Sequence, residues 1–158
     1  MKLLKTWIYK SVLTIDIFRV YSYVILKLLS KGTNYLLKIE YFKKKSLLEN
    51  FQVNPNLYVN LAFMWIRRLN KFFFLFLSSK YKSTCFIRAV SIFYLSVMYN
   101  QYAILNIAIP KIFELDDFCS RNREGHCWTT IMGEDYDCCP DYWIVVDQIE
   151  SDKNNLVK

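Results

Sequence analysis

The sequence predicts a mainly α-helical protein: a few long apolar or amphipathic helices, one candidate transmembrane helix, and a short irregular segment that carries cysteines. Hydrophobic residues make up 54% of the 158 residues, while glycine and proline occur only three times each. A many-stranded sheet needs turn residues about every 8 to 12 positions. Because turn residues are this rare, long helices are favoured, and a 21-residue stretch without charge suggests a span.

The first element is a predicted helix over residues 3–29, which ends at Gly32, a natural stop for a helix. All but one of its charged residues fall in a single arc of the helix, and Lys10 is the exception. A broad apolar face beside a narrow basic stripe is typical of a helix at a membrane surface. A core helix of a soluble bundle is the equal alternative.

Two further helical segments follow the first helix. Residues 35–53 carry a weaker helical pattern that closes at the turn signal Asn54-Pro55-Asn56. Residues 57–79 form a stronger candidate, in which Asn60, Arg67, Arg68 and Lys71 share one arc.

The candidate transmembrane helix covers Ala89 to Ile109, with Arg88 before it and Pro110 after it. As a helix, 21 residues extend about 31 Å, close to the hydrocarbon thickness of a bilayer. The excess of Lys and Arg before the span predicts a cytoplasmic N-terminus and an extracellular or luminal C-terminus. A buried helix of a soluble protein has a similar composition and is the alternative.

Charge divides the chain into unlike parts. Residues 1–88 hold 16 Lys or Arg against three acidic residues, a balance of +13, whereas residues 89–158 hold five against 11, a balance of −6. We therefore predict a basic amphipathic region at 1–88, the membrane helix at 89–110 and an acidic cysteine segment at 111–158. The basic region is expected to meet an anionic surface such as a lipid membrane.

Four of the five cysteines lie after the candidate span, on the side predicted to be oxidising; they are Cys119, Cys127, Cys138 and Cys139. Because adjacent cysteines bond to each other only with strain, two pairings remain. Cys119 joins Cys138 while Cys127 joins Cys139, or the partners are exchanged. Cys85 is left as a reduced apolar residue or a lipidation site.

Catalytic and cofactor chemistry is not predicted from these residues. His126 is the only histidine, and no Cys-x-x-Cys pair is present, so neither a zinc site nor a cysteine protease is indicated. We predict no enzyme activity, no metal and no cofactor, and take His126 as a surface residue.

The stretch Asp137-Cys138-Cys139-Pro140-Asp141-Tyr142-Trp143 resembles the end of a somatomedin B module, in which an acidic residue and an aromatic follow a double cysteine. The version with Trp143 looks most like the module of tubulointerstitial nephritis antigen-like proteins. The similarity covers residues 119–143, and this segment has fewer cysteines than the module. It implies binding to an extracellular protein, with binding residues Asp137, Asp141, Tyr142 and Trp143.

The predicted function is that of a single-pass membrane protein with a small disulfide-bearing extracellular segment, binding or structural rather than catalytic. One alternative is a basic helical protein associated with nucleic acid or ribosomes, with Lys43 to Lys45, Arg67, Arg68 and Lys71 on phosphates. Narrow basic stripes and the lack of a motif make a nucleic-acid partner the less favoured one. The other alternative is a spurious or truncated product of AT-rich sequence, since Lys, Asn, Ile, Phe and Tyr are abundant and Ala is rare.

Overall fold

A computed structural model describes residues 2–31, 54–73, 84–110, 125–136 and 143–151. These residues form three helices and four strands, arranged as helices on one face of an antiparallel sheet. The helices are α1 (Lys2–Lys31), α2 (Pro55–Phe73) and α3 (Thr84–Met98), and the strands are β1 (Ala103–Pro110), β2 (His126–Ile131), β3 (Glu134–Tyr136) and β4 (Trp143–Glu150).

The sheet has the strand order β3-β2-β1-β4, and every neighbouring pair is antiparallel. Strand β1 lies in the interior of the sheet, with Asn106 opposite Trp128 of β2 and opposite Gln148 of β4. The hairpin between β2 and β3 turns at Met132 and Gly133, which both have positive φ, 51° and 90°. Two residues of that kind match the twist of the flanking strands.

Helix α3 lies between the sheet and the other two helices. The Thr129 hydroxyl of β2 donates a 2.8 Å hydrogen bond to the carbonyl of Ala89, which fixes α3 against the sheet. Its residues from Ala89 to Leu95 are all buried, including Ser91 at 0% exposure. A helix covered on all sides is expected to be apolar around its whole circumference.

Tyrosine hydroxyls join the three helices in pairs. The bonds connect Tyr21 to Asn70 (2.7 Å), Tyr58 to Ser96 (2.8 Å) and Tyr99 to Asp16 (3.2 Å). Burial raises the pKa of Tyr21 to about 12 and raises the pKa of Tyr99 as well, the Asp16 carboxylate adding to the effect on Tyr99. Buried hydroxyls that find partners allow aromatic rings to fill the core without an unsatisfied polar group.

The predicted fold class, mainly α with a transmembrane helix, is wrong. The described residues include a four-stranded sheet, and none of their helices is long and apolar enough to cross a membrane. The predicted topology, with a cytoplasmic N-terminus and an extracellular or luminal C-terminus, is wrong with it.

The uncharged stretch 89–109 is divided between two elements. Helix α3 ends at Met98, and Asn100 follows with a φ of 55°. The amides of Asn100 and Gln101 donate to the carbonyls of Val97 and Ser96, the pattern of a helix end closed by a left-handed residue. The chain then enters β1, so the candidate span is half buried helix and half interior strand.

The first predicted helix is confirmed, since α1 includes residues 3–29. Helix α2 begins at Pro55, two residues before the predicted start, where the Asn54 side chain accepts a hydrogen bond from the Asn56 amide. An asparagine cap followed by proline in the first turn is a common helix start. The predicted helical segment 35–53 and residues 74–79 lie outside the described residues.

Candidate binding site on the outer sheet face

The sheet has one face against the helices and one face away from them, which we call the outer face. Cys127, Thr129 and Ile131 of β2 are buried on the helix side. Because side chains alternate along a strand, His126, Trp128 and Thr130 belong to the outer face. Residues paired across strands share a face, which adds Asn106 of β1 and its neighbours.

A row of side-chain hydrogen bonds crosses the outer face through one residue of each strand. The Gln148 amide donates to the Asn106 carbonyl oxygen (2.7 Å), and the Asn106 amide donates to the Thr130 hydroxyl (2.7 Å). The Thr130 hydroxyl in turn donates to the carboxylate of Asp135. We call Gln148, Asn106, Thr130 and Asp135 the polar row. Each residue of the row donates to the next, and the last acceptor is the Asp135 carboxylate. Hydrogen bonds aligned in this way polarise and strengthen one another.

Aromatic rings lie beside the polar row. The His126 ring stacks on Trp143 with ring centres 4.8 Å apart and planes inclined by 21°. It also stacks on Trp128, at 6.1 Å and 26°. Ala108 of β1 is the residue paired with His126, and its small side chain leaves room for rings above the strand. The three rings therefore form an aromatic cluster near the end of β1, where His126 and Trp143 begin the two neighbouring strands.

The polar row, Trp128 and Trp143 line a depression of about 340 Å³. The lining residues are Ile104, Asn106, Trp128, Thr130, Asp135, Trp143, Val145 and Gln148. Pockets that hold small molecules combine such apolar surface with a few polar groups. This depression is the candidate site.

Trp128 is the most enclosed ring of the cluster. Its side chain is 4% exposed, and its buried indole Nε1–H has no hydrogen-bond partner among the residues that the structure describes. A buried donor without an acceptor costs about 1 to 3 kcal/mol.

The described strands carry four carboxylates and neither Lys nor Arg; the carboxylates are Glu134, Asp135, Asp147 and Glu150. Asp135 is the one that lines the depression. The charge that the described strands carry is therefore negative, which disfavours an anionic ligand.

Of the residues singled out in the cysteine segment, Trp143 is in the candidate site, where it begins β4. Asp137, Asp141 and Tyr142 lie outside the described residues, as do Cys119, Cys138 and Cys139. The resemblance to a somatomedin B module stays a prediction.

The predicted disulfides are wrong at Cys127, which both of the predicted pairings include. Its thiol is free and buried on the helix side of β2, where burial, and secondarily Cys85, raises its pKa to about 12. The cause is strand alternation, which directs Cys127 into the core rather than toward the outer face. Cys85 is partly buried, and its thiol donates to the carbonyl of Gly125 at 3.9 Å.

His126, Trp128, Asn106, Thr130, Asp135 and Gln148 were not identified from the sequence. The alternation His126-Cys127-Trp128-Thr129-Thr130 has the period of a strand and could have indicated that His126 and Trp128 share a face. The polar row carries no such signal, because its members come from four separate strands.

No family model, curated protein or solved structure matches this chain. Among the residues that the structure describes, no three His, Cys, Asp or Glu side chains come together as metal ligands.

Proposed function

We propose that this protein is a non-catalytic binding protein whose outer sheet face holds an uncharged saccharide. The observation that carries the proposal is the Trp143 ring, stacked on His126, which lines one depression together with the polar row and Trp128. A sugar ring presents an apolar face of C–H groups, which stacks on an aromatic ring, and a rim of hydroxyls, which both donate and accept hydrogen bonds.

Charge and hydrogen bonding distinguish a saccharide from other ligands of similar size. A phosphate or carboxylate would lie beside Asp135, and the described residues of the lining include no Lys or Arg to offset the repulsion. An alkylammonium ion would pair with Asp135 and the Trp143 ring, so choline is the competing ligand in the test. A sugar can donate a hydroxyl to Asp135 and lay its C–H face against Trp143.

The lining also supports binding rather than hydrolysis. Glycoside hydrolysis generally uses two carboxylates on opposite sides of the scissile bond. In the described lining Asp135 is a single carboxylate, and it already accepts a hydrogen bond from Thr130. One carboxylate and a row of satisfied amides can hold a sugar in place.

The test is a screen of neutral trisaccharides with α- and β-linked glucose, mannose and N-acetylglucosamine, followed by calorimetry on any that bind. Trp143→Ala removes a partly exposed ring that lines the depression and should weaken binding at least tenfold. Trp7→Ala, at a tryptophan 73% exposed on α1, is the matched control.

A measurement on the unaltered protein guards against misfolded variants. The indole N–H resonance of Trp143 should shift when the saccharide is added, because the ligand covers that ring. The proposal is wrong if no neutral saccharide binds, if Trp143→Ala and Trp7→Ala bind alike, or if a nucleoside or choline binds in preference.

A further inference from the structure

A second hollow, of about 530 Å³, lies between α2 and α3 on the helical side of the molecule. The residues that line it are Phe63, Met64, Arg67, Arg68, Lys71 and Arg88. Four of these six are cations and none is acidic. We call this the cationic hollow.

The cations of α2 share one face of the helix. Arg67, Arg68 and Lys71 come three, four and seven residues after Met64, the spacing that brings side chains together on a helix. Arg67, Arg68 and Lys71 are all exposed. Like charges this close repel each other, and an anion placed among them relieves the repulsion.

Two of the four cations are held by aromatic rings. The Arg68 guanidinium lies 5.4 Å from the centre of the Trp65 ring, and the Arg88 guanidinium lies 5.3 Å from the centre of the Phe63 ring. Stacked guanidinium groups keep their donors directed outward and lose less freedom when a ligand binds. The hollow is therefore partly organised before an anion arrives.

The charge of the surrounding elements favours the same ligand. Helices α2 and α3 contain these four cations and no Asp or Glu. The carboxylates of the described strands belong to the sheet, which α3 separates from α1 and α2. A polyanion is thus attracted to the helical side and repelled from the sheet.

We propose that the cationic hollow binds the phosphates of a single-stranded nucleic acid. Phe72, one helical turn beyond Arg68 and 63% exposed, offers a ring on which a base can stack. A basic groove beside an exposed aromatic ring is how proteins hold single strands without reading their sequence. The site is separate from the saccharide site in position, charge and ligand.

The test measures binding of a fluorescently labelled oligouridine of about 15 nucleotides by anisotropy at increasing salt. Phosphate contacts from the exposed Arg67, Arg68 and Lys71 predict that the logarithm of the association constant falls with the logarithm of salt concentration with a slope of about −2. Arg67→Gln with Arg68→Gln should weaken binding roughly tenfold at low salt and reduce the slope by about 1.4. Arg67→Lys with Arg68→Lys retains the charge and should retain the slope.

The matched control removes the same charge elsewhere. Lys10→Gln with Lys27→Gln changes two cations of α1, outside the hollow, and should weaken binding less than about twofold. The inference is overturned if oligouridine does not bind at low salt. It is also overturned if the Lys10→Gln, Lys27→Gln variant weakens binding as much as the Arg67→Gln, Arg68→Gln variant does. Tighter binding of vesicles with anionic lipid, or of heparin, would overturn the assignment to nucleic acid. Trp143→Ala should leave oligouridine binding unchanged, so the two proposals can fail separately.

Discussion

Asn106 is the residue on which the polar row depends, and replacing it with alanine tests whether the row stabilises the sheet. Its side chain is 2% exposed, accepts from Gln148 and donates to Thr130. Each of these bonds contributes about 0.5 to 1.5 kcal/mol, so Asn106→Ala should lower the free energy of unfolding by about 2 kcal/mol. For a chain of this size that corresponds to a fall in Tm of roughly 4 to 8 °C.

The measurement is urea denaturation followed by circular dichroism, extended to a double-mutant cycle with Gln148→Ala. Gln148→Ala removes the hydrogen bond from the Gln148 amide and leaves the Asn106 carbonyl oxygen without its donor. Because Gln148 is exposed, the change removes little packing. If the bond is real, the two changes together should cost less than their sum by about 0.5 to 1.5 kcal/mol.

Asn60→Ala, at an exposed asparagine of α2, is the matched control and should change the free energy of unfolding by less than about 0.5 kcal/mol. The reasoning is refuted if Asn106→Ala has an effect as small as this control. Strict additivity of Asn106→Ala and Gln148→Ala would refute the bond between the two side chains.

Two further predictions concern alkaline pH and the β2–β3 hairpin. The pKa of Cys127 rises from 9.0 to about 12 in the folded state and that of Tyr21 from 10.0 to about 12, so both groups favour the folded state only while protonated. The free energy of unfolding should therefore be constant up to about pH 9 and decline at higher pH. The decline should be less steep in Tyr21→Phe. A free energy of unfolding that stays constant up to about pH 11 would contradict this prediction. At the hairpin, Met132 has a φ of 51°, which costs a non-glycine residue about 1 kcal/mol, so Met132→Asn should raise the thermal midpoint. Gly133→Ala, at a φ of 90°, should lower that midpoint, and equal midpoints for the two variants would refute the turn geometry.

Helix α1 could be predicted from the sequence because its signals are local. Its apolar positions repeat at the helical period, and Gly32 follows its last turn. Helix α2 was recognised for the same reason, together with the turn signal at Asn54-Pro55-Asn56. In both helices, residues within a few positions of each other carry the information.

The stretch from Ala89 to Ile109 was misread because burial and lipid select the same side chains. A helix enclosed by a sheet and two other helices needs no charge, and neither does a strand in the interior of a sheet. The break between them rests on Asn100, whose left-handed conformation depends on two backbone bonds to α3. Hydropathy alone cannot distinguish a polar residue at a helix end from one within a span.

The candidate site could also be predicted only in part from the sequence. Trp143 can be singled out from its neighbours in sequence, whereas its stacking partner His126 is 17 positions away and has no feature in the sequence that distinguishes it from an ordinary surface residue. The polar row joins Asn106, Thr130, Asp135 and Gln148, which meet only because the strands pair in one register. A shift of one residue would direct these side chains to the helix side.

The sequence by itself determined the helical periodicity, the positions of the basic stripes and the opposite charges of the two halves, since these depend only on which residues are neighbours in the chain. Only the tertiary structure decided that protein, not lipid, buries the uncharged stretch and that Cys127 points into the core. It also decided that side chains from four strands line one depression. The physical reason is that strand pairing joins residues far apart in the chain, and no local preference encodes which strand will be the neighbour.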